Sequence, residues 1–378
     1  MLIITLPMIK HLVSDDKTIS NENRTLTQKP DWPNKFVDLK KHTANIDDYL
    51  ADQFGFRKNF ISGANKVRYK LFDEIISKQI TVGKNGFFYF NSHSAKTPNS
   101  LIKSICSIIP LSLRAQKKTK KYFAAFLKHT RNQGIITHIA VIPTKLKIYP
   151  EYLPALEKKW CDPLQFNWVD SLMESMAELQ VYYPLEMMLE LKKSIQVYLP
   201  KHFHWHGHLP AIVAEDIMKN LWNIKPTFNI KPKIANVQPD LKNHYRGLTF
   251  YEESKQYNYK SQGIKTCKGK NCLADLNKYY KKGISFTHTN NNIKTKNKLV
   301  LLTDSFGAFI SEHFSRGFPE VILISINYLK PEEEYRFYQW ITKDIKPTHL
   351  LYLMHDGGIY GRANKLELLM NDINKNNE

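Results

Sequence analysis

The chain has no uninterrupted apolar stretch of the ~20 residues that cross a bilayer. Its apolar N-terminal run, Leu2-Ile3-Ile4-Thr5-Leu6-Pro7-Met8-Ile9, is far shorter and lacks the charged leading region of a secretory signal. Two readings stay open: the tail of a membrane anchor that begins upstream, or a short leader. No Cys-x-x-Cys pair occurs, which argues against structural zinc. No zinc-finger, RRM or helix-turn-helix signature is present either, which argues against nucleic acid as the partner. There is no cofactor motif, no internal repeat and no G-x-S-x-G nucleophile elbow. Acidic residues are scarce, with 35 Asp plus Glu against 55 Lys plus Arg.

That imbalance leaves a formal charge of +20, which points to an acidic partner: an anionic membrane surface or an acidic polysaccharide. Solvated lysine-rich faces are the plainer explanation. With 378 residues, 42% apolar and 12% aromatic, the chain is globular and long enough for one large core or two. Its four cysteines, Cys106, Cys161, Cys267 and Cys272, suit an oxidising compartment and allow three pairings. Cys267 and Cys272 are close enough to form a small ring, because Gly269 permits the turn between them.

Residues 1–35 read as an anchor tail and a Pro-punctuated linker, and 36–378 as one domain. Residues 46–72 carry apolar side chains at helical spacing, broken near Gly55. Residues 80–90 predict a hairpin, since Asn85-Gly86 supplies the positive φ angles of a tight turn. An amphipathic basic helix is expected over 111–133, stopped by Gly134, followed by a buried strand at 135–142. Further helices are expected at 167–179 and 209–221. Residues 223–297, rich in Lys, Asn and Tyr, read as an insertion or an elaborate connection rather than a second core. Apolar runs at 299–302, 321–326 and 349–354 read as strands, with a helix at 331–341 between the last two. Strands alternating with helices imply a doubly wound parallel α/β sheet flanked by helices.

The stretch Lys298-Leu-Val-Leu-Leu-Thr-Asp-Ser-Phe-Gly307 organises this reading. Its apolar run is a strand buried on both faces, followed by a helix-compatible segment at 308–314. Ser305 then lies at the carboxyl end of a sheet strand, where open α/β sheets bind ligands and helix N–H groups face a developing anion. There it is a candidate nucleophile, although Asp-Ser is also an ordinary helix cap. The segment Lys201-His-Phe-His-Trp-His-Gly-His208 supplies candidate bases. Histidines two apart share one side of an extended segment, so metal binding is conceivable there. A histidine taking the proton of Ser305 is the sharper reading, and half-exposed structural histidines the plainer one.

Several pieces occur in an order that resembles a known family. They are Asn21-Glu-Asn-Arg24, Tyr49-Leu-Ala-Asp-Gln-Phe-Gly-Phe-Arg57, Val82-Gly-Lys-Asn-Gly-Phe-Phe-Tyr-Phe90, Val141-Ile-Pro-Thr-Lys145, Phe203-His-Trp205 and Thr303-Asp-Ser-Phe-Gly307. The set is similar to the SGNH-hydrolase-like proteins of polysaccharide O-acetylation, the AlgX/AlgJ-like alginate O-acetyltransferases, over roughly residues 20–310. The resemblance implies an SGNH-like fold with a circularly permuted motif order, His before Ser. It also implies a periplasmic, inner-membrane-anchored acetyltransferase needing no cofactor. The partners implied are an acidic polysaccharide acceptor and a membrane-bound acetyl-donor protein.

By the same resemblance Ser305 is the nucleophile and His204 the general base and acid. The orienting aspartate of the family falls at His202, and the glycine before Asp-Ser at Thr303. Asp356 is the expected substitute acid, with Asp216 second. Asp304 and Gly307 belong to the nucleophile turn, and Asn327 and Tyr328 are candidate oxyanion donors. An esterase, or a scaffold protein that has lost its triad acid, are the alternative readings.

Overall fold

In the computed structural model the described residues are 27–32, 39–53, 56–92, 96–97, 99–106, 111–161, 168–269, 272–273, 285–327, 329 and 331–375. The N-terminal apolar run and Tyr328 lie outside them. Ten strands occur in this set. They are β1 (Ile80–Val82), β2 (Phe88–Phe90), β3 (Ile136–Ile142), β4 (Lys233–Val237) and β5 (Glu252–Gln256), then β6 (Lys265–Lys268), β7 (Ser285–Thr289), β8 (Lys298–Thr303), β9 (Glu320–Ser325) and β10 (His349–His355).

Six strands form the central sheet, in the order β3-β10-β8-β9-β7-β6. The first four are mutually parallel; β7 runs antiparallel to β9, and β6 antiparallel to β7. The apolar runs of β8, β9 and β10, and residues 139–142 of β3, are what such a position requires, because both faces must be dry. Their side chains divide by parity. Ile142, Leu299, Leu301, Leu323 and Leu353 enter the core on one face, and Val141, Val300, Leu302, Ile324 and Met354 the core on the other. Truncating one of these to alanine costs about 2–5 kcal/mol where the cavity cannot collapse.

The second face is covered by helices Leu113–Asn132, Trp168–Ser175, Pro331–Trp340 and Ile359–Lys375. Ser112 starts the first of these, its hydroxyl accepting from Ala115 N at 3.2 Å, and Gly134, at φ +77°, turns the chain away after it. On the first face lie helices Ser100–Ile105 and His208–Trp222 and the β1–β2 hairpin. That hairpin turns at Asn85 and Gly86, both at positive φ, as their residue types predict.

One expectation changes. The helix expected at 308–314 is instead a pair of 3-10 turns, Ser305–Phe309 and Ser311–Arg316. Buried polar side chains compete for the backbone there: the Ser315 hydroxyl donates to Glu312 O at 2.5 Å, and Asp304 caps the first turn. The segment 223–297, read as an insertion or elaborate connection, contributes to the main sheet. It adds β6 and β7 to the sheet edge and makes the separate β4–β5 hairpin. Disulfides join Cys106 to Cys161 and Cys267 to Cys272, the second being the small ring near the end of β6.

Candidate active site

Ser305 follows the carboxyl end of β8, one of the two inner strands of the parallel set. Asp304 makes the turn rigid. One of its carboxylate oxygens accepts from Phe306 N at 2.9 Å, and the other from His355 N at 2.8 Å, at the end of the neighbouring β10. Gly307 is required by packing rather than by its backbone angles. A Cβ there would lie 2.2 Å from Thr303 Cγ2 and 2.3 Å from Thr303 Oγ1, inside any permissible contact. The threonine standing before Asp-Ser therefore fills the space that a side chain at 307 would take.

The second component is the loop 202–206, which precedes helix His208–Trp222. Trp205 is fully buried, and its indole N–H donates to Phe306 O at 2.8 Å, tying the loop to the serine turn. His204 packs between Phe309, against which its ring stacks at 5.0 Å, and Phe306 at 5.1 Å. Its Nε2 lies 2.8 Å from Ser305 Oγ. Its Nδ1 lies 2.5 Å from Asp240 Oδ2. A carboxylate only accepts, so Nδ1 carries the proton and Nε2 accepts from the serine hydroxyl.

Asp240 was not among the expected acids. It sits in the connection between β4 and β5, and its two oxygens also accept the backbone N–H groups of Phe203 at 2.8 Å and His204 at 2.9 Å. Burial pushes its pKa up. The hydrogen bonds from the His204 ring and backbone, and the favourable interaction with His204 and His202 when those rings are protonated, outweigh burial and hold it well below the ordinary carboxylate range. It stays ionised, with its charge directed at His204.

The expected substitutes have other work. Asp356 is completely buried at the end of β10 and accepts from Thr144 N at 3.1 Å and Gly357 N at 2.8 Å; burial raises its pKa to about 6. Asp216 accepts from Tyr182 Oη and Asn220 Nδ2, each at 2.7 Å. Neither bonds to His204. Asn327 accepts from the Arg362 guanidinium through its side-chain oxygen.

His202, which stands where an acid was expected, is 1% exposed and forms no ring hydrogen bond among the described residues. It lies behind the triad, with Nδ1 3.9 Å from Asp240 Oδ1 and Nε2 3.8 Å from Glu252 Oε2. Burial lowers its pKa to about 4, against the pull of Asp240. Beneath it the Lys145 ammonium donates to Pro200 O at 2.7 Å and His202 O at 2.5 Å, pinning the loop from below. The remaining histidines of the cluster disperse: His206 meets Ser254 Oγ at 2.8 Å, and His208 meets Tyr257 Oη.

The result is a mixed α/β protein with a hydrogen-bonded Ser–His–Asp set outside the carboxyl edge of a parallel sheet. Against known proteins, no family profile matches the chain and no curated protein does. Among solved structures the chain is similar to Bacillus cereus PatB1, at 14% identity and TM-score 0.45, over 65% of this chain and 91% of that one. It is similar to a DHHW family protein from Eubacterium siraeum, at 13% and 0.48, over 66% and 88%. It is also similar to the O-acetyltransferase domain of Pseudomonas putida AlgJ, at 13% and 0.43, over 78% and 99%. Likenesses this distant carry no argument about chemistry, which has to come from the side chains.

Proposed function

We propose that this protein is a serine-dependent acyltransferase that moves acetyl groups onto a polysaccharide outside the cytoplasm. The observation that carries the acyl-transfer reading is the unbroken chain of contacts Ser305 Oγ–His204 Nε2 at 2.8 Å and His204 Nδ1–Asp240 Oδ2 at 2.5 Å. Ser305 attacks the acetyl carbonyl while His204 takes the hydroxyl proton, and Asp240 holds the imidazolium that forms. The bond to the donor oxygen breaks, and His204 returns the proton to that oxygen. A sugar hydroxyl then attacks the acetyl-serine. His204 accepts its proton, the acetyl group moves to the sugar, and Ser305 recovers its hydrogen. The Ser305 N–H at the head of the 3-10 turn is the donor proposed for the oxyanion.

The polysaccharide acceptor rests on the order of sequence motifs and on the +20 charge, which suits an acidic glycan. Two disulfides support an extracytoplasmic setting. The acetyl donor is then handed over by a membrane-bound partner, since cytosolic thioesters do not reach that compartment. The case for a non-catalytic scaffold was a missing triad acid; Asp240 lies where that acid has to be, which favours the enzyme.

The test is incubation with p-nitrophenyl acetate, then intact-mass measurement of wild type and Ser305→Ala. An acetyl adduct on the wild type alone, transferred to a uronate oligosaccharide when one is added, supports the transferase. Release to water with the oligosaccharide untouched makes the protein an esterase. No adduct and no turnover overturns both.

A further inference from the structure

Far from the triad in sequence, helix Arg57–Phe72 has two faces that are both chemically committed. The inner one is docked. Asn65 is fully buried and its amide donates to Arg246 O at 2.9 Å, while its oxygen accepts from Ile76 N at 2.7 Å. Tyr69 packs edge-on against Phe88 and Phe250, and Ser62 lies so close to Gly247 that no side chain fits there. The helix therefore cannot roll.

The outer face is apolar all the same. Phe60, Val67 and Leu71 follow one another at helical spacing on the side away from Asn65, and they are 51%, 57% and 65% exposed. Phe72, at the end, is 66% exposed, and Leu50 on the preceding helix 52%. Isolated exposed apolar residues are ordinary, but a stripe of them on a face held outward is not. The helix also carries Arg57, Lys58, Lys66, Arg68 and Lys70 and no acidic residue; Asp73 and Glu74 come only after its end. By helical angle Lys66 and Lys70 border the stripe on one side and Arg68 on the other.

We infer that this face seats on an anionic lipid surface, its apolar stripe entering the acyl boundary and its flanking cations meeting lipid phosphates. An apolar stripe rimmed by Lys and Arg is the composition that interfacial helices use. A second copy of the chain fits worse, because pairing two such faces brings like charges together on a protein already at +20. This inference is independent of the acyl-transfer reading and concerns where the protein sits rather than what it does.

The test is co-sedimentation of the full-length chain with vesicles of phosphatidylcholine alone or mixed with phosphatidylglycerol. The variants are Val67→Glu/Leu71→Glu and Lys66→Glu/Lys70→Glu. The wild type is expected to sediment with the anionic vesicles and to be released by salt. Each double variant should lose at least fivefold in bound fraction while keeping its thermal unfolding midpoint and its rate on a soluble ester. All four positions lie outside the packed face, so folding is not at stake. Three outcomes overturn the proposal: no binding to anionic vesicles, binding unchanged in both variants, or a wild-type dimer that Val67→Glu/Leu71→Glu dissolves.

Discussion

Asp240 and His204, 36 residues apart in the chain, are joined by two hydrogen bonds, one from the imidazole Nδ1 at 2.5 Å and one from the His204 backbone N–H at 2.9 Å, and a third reaches Asp240 from the N–H of Phe203. The carboxylate thus fixes both the ring and the loop that carries it.

Replacing Asp240 by Asn keeps the shape but presents an amide to Nδ1, which favours the wrong tautomer. Hydrolysis of p-nitrophenyl acetate should fall by about 10³–10⁴, as for other triads deprived of their acid. Asp356→Asn should stay within a few-fold of wild type, because Asp356 makes no contact with His204. If the two variants exchange these phenotypes, the assignment of Asp240 is wrong.

Trp205 is a positioning residue. Its indole bond to Phe306 O links the histidine loop to the serine turn and spans 101 residues of sequence. Trp205→Phe keeps most of the apolar volume and removes the bond, at a cost of about 1 kcal/mol to folding. A larger effect is expected in kcat, roughly tenfold, with KM little changed, because misplacement slows attack by Ser305 more than it weakens binding. Steady-state kinetics checks this split; a rise in KM alone would refute it.

Acid should destabilise the fold early. Burial lowers the pKa of His138, His202, His288 and His349 to about 4, and that of His313 to about 3. An unfolded histidine titrates near 6.5, so between about pH 6.5 and 4 the unfolded chain binds more protons than the native one. Stability is therefore complete above pH 6.5 and lost as pH falls. Each ring costs on the order of 2 kcal/mol by pH 5. Asp356 works in the opposite sense over about pH 4–6, and burial raises Glu252, Glu312 and Glu334 in the same direction, but His129, His206, His208 and His244 are lowered as well, so the histidines outnumber the carboxyls. Thermal unfolding at pH 7.5 and 5.0 should show a midpoint lower by ten degrees or more at pH 5.0. A flat profile would mean that these rings are not buried in their neutral form.

How far the sequence reached follows from the range of the forces involved. The central strands were legible because burial on both faces demands unbroken apolar runs, as at Leu299–Leu302 and Leu350–Met354. The β1–β2 turn was legible because Asn85-Gly86 has a local conformational preference. Ser305 and His204 stood out through their neighbours. Asp240 did not: it lies in an unremarked Pro239-Asp240-Leu241, and nothing local distinguishes it from other acids in a polar connection. Its role arises from tertiary proximity alone, as does that of Trp205. The 3-10 turns after Ser305 were misread for a related reason, since their polar contacts are made by side chains whose partners periodicity does not show.

The site draws its three members from segments around residues 204, 240 and 305; His204 and Ser305 are 101 positions apart, and the chain between them includes the β4–β5 hairpin as well as the edge strands β6 and β7. No shorter fragment of the chain contains all three. On the proposed mechanism, ester hydrolysis during refolding therefore reports when these segments have come together. Circular dichroism follows the helices and the sheet, and any lag of ester hydrolysis behind it is the time the hairpin connection takes to dock its aspartate. The interval between the two signals measures that docking directly.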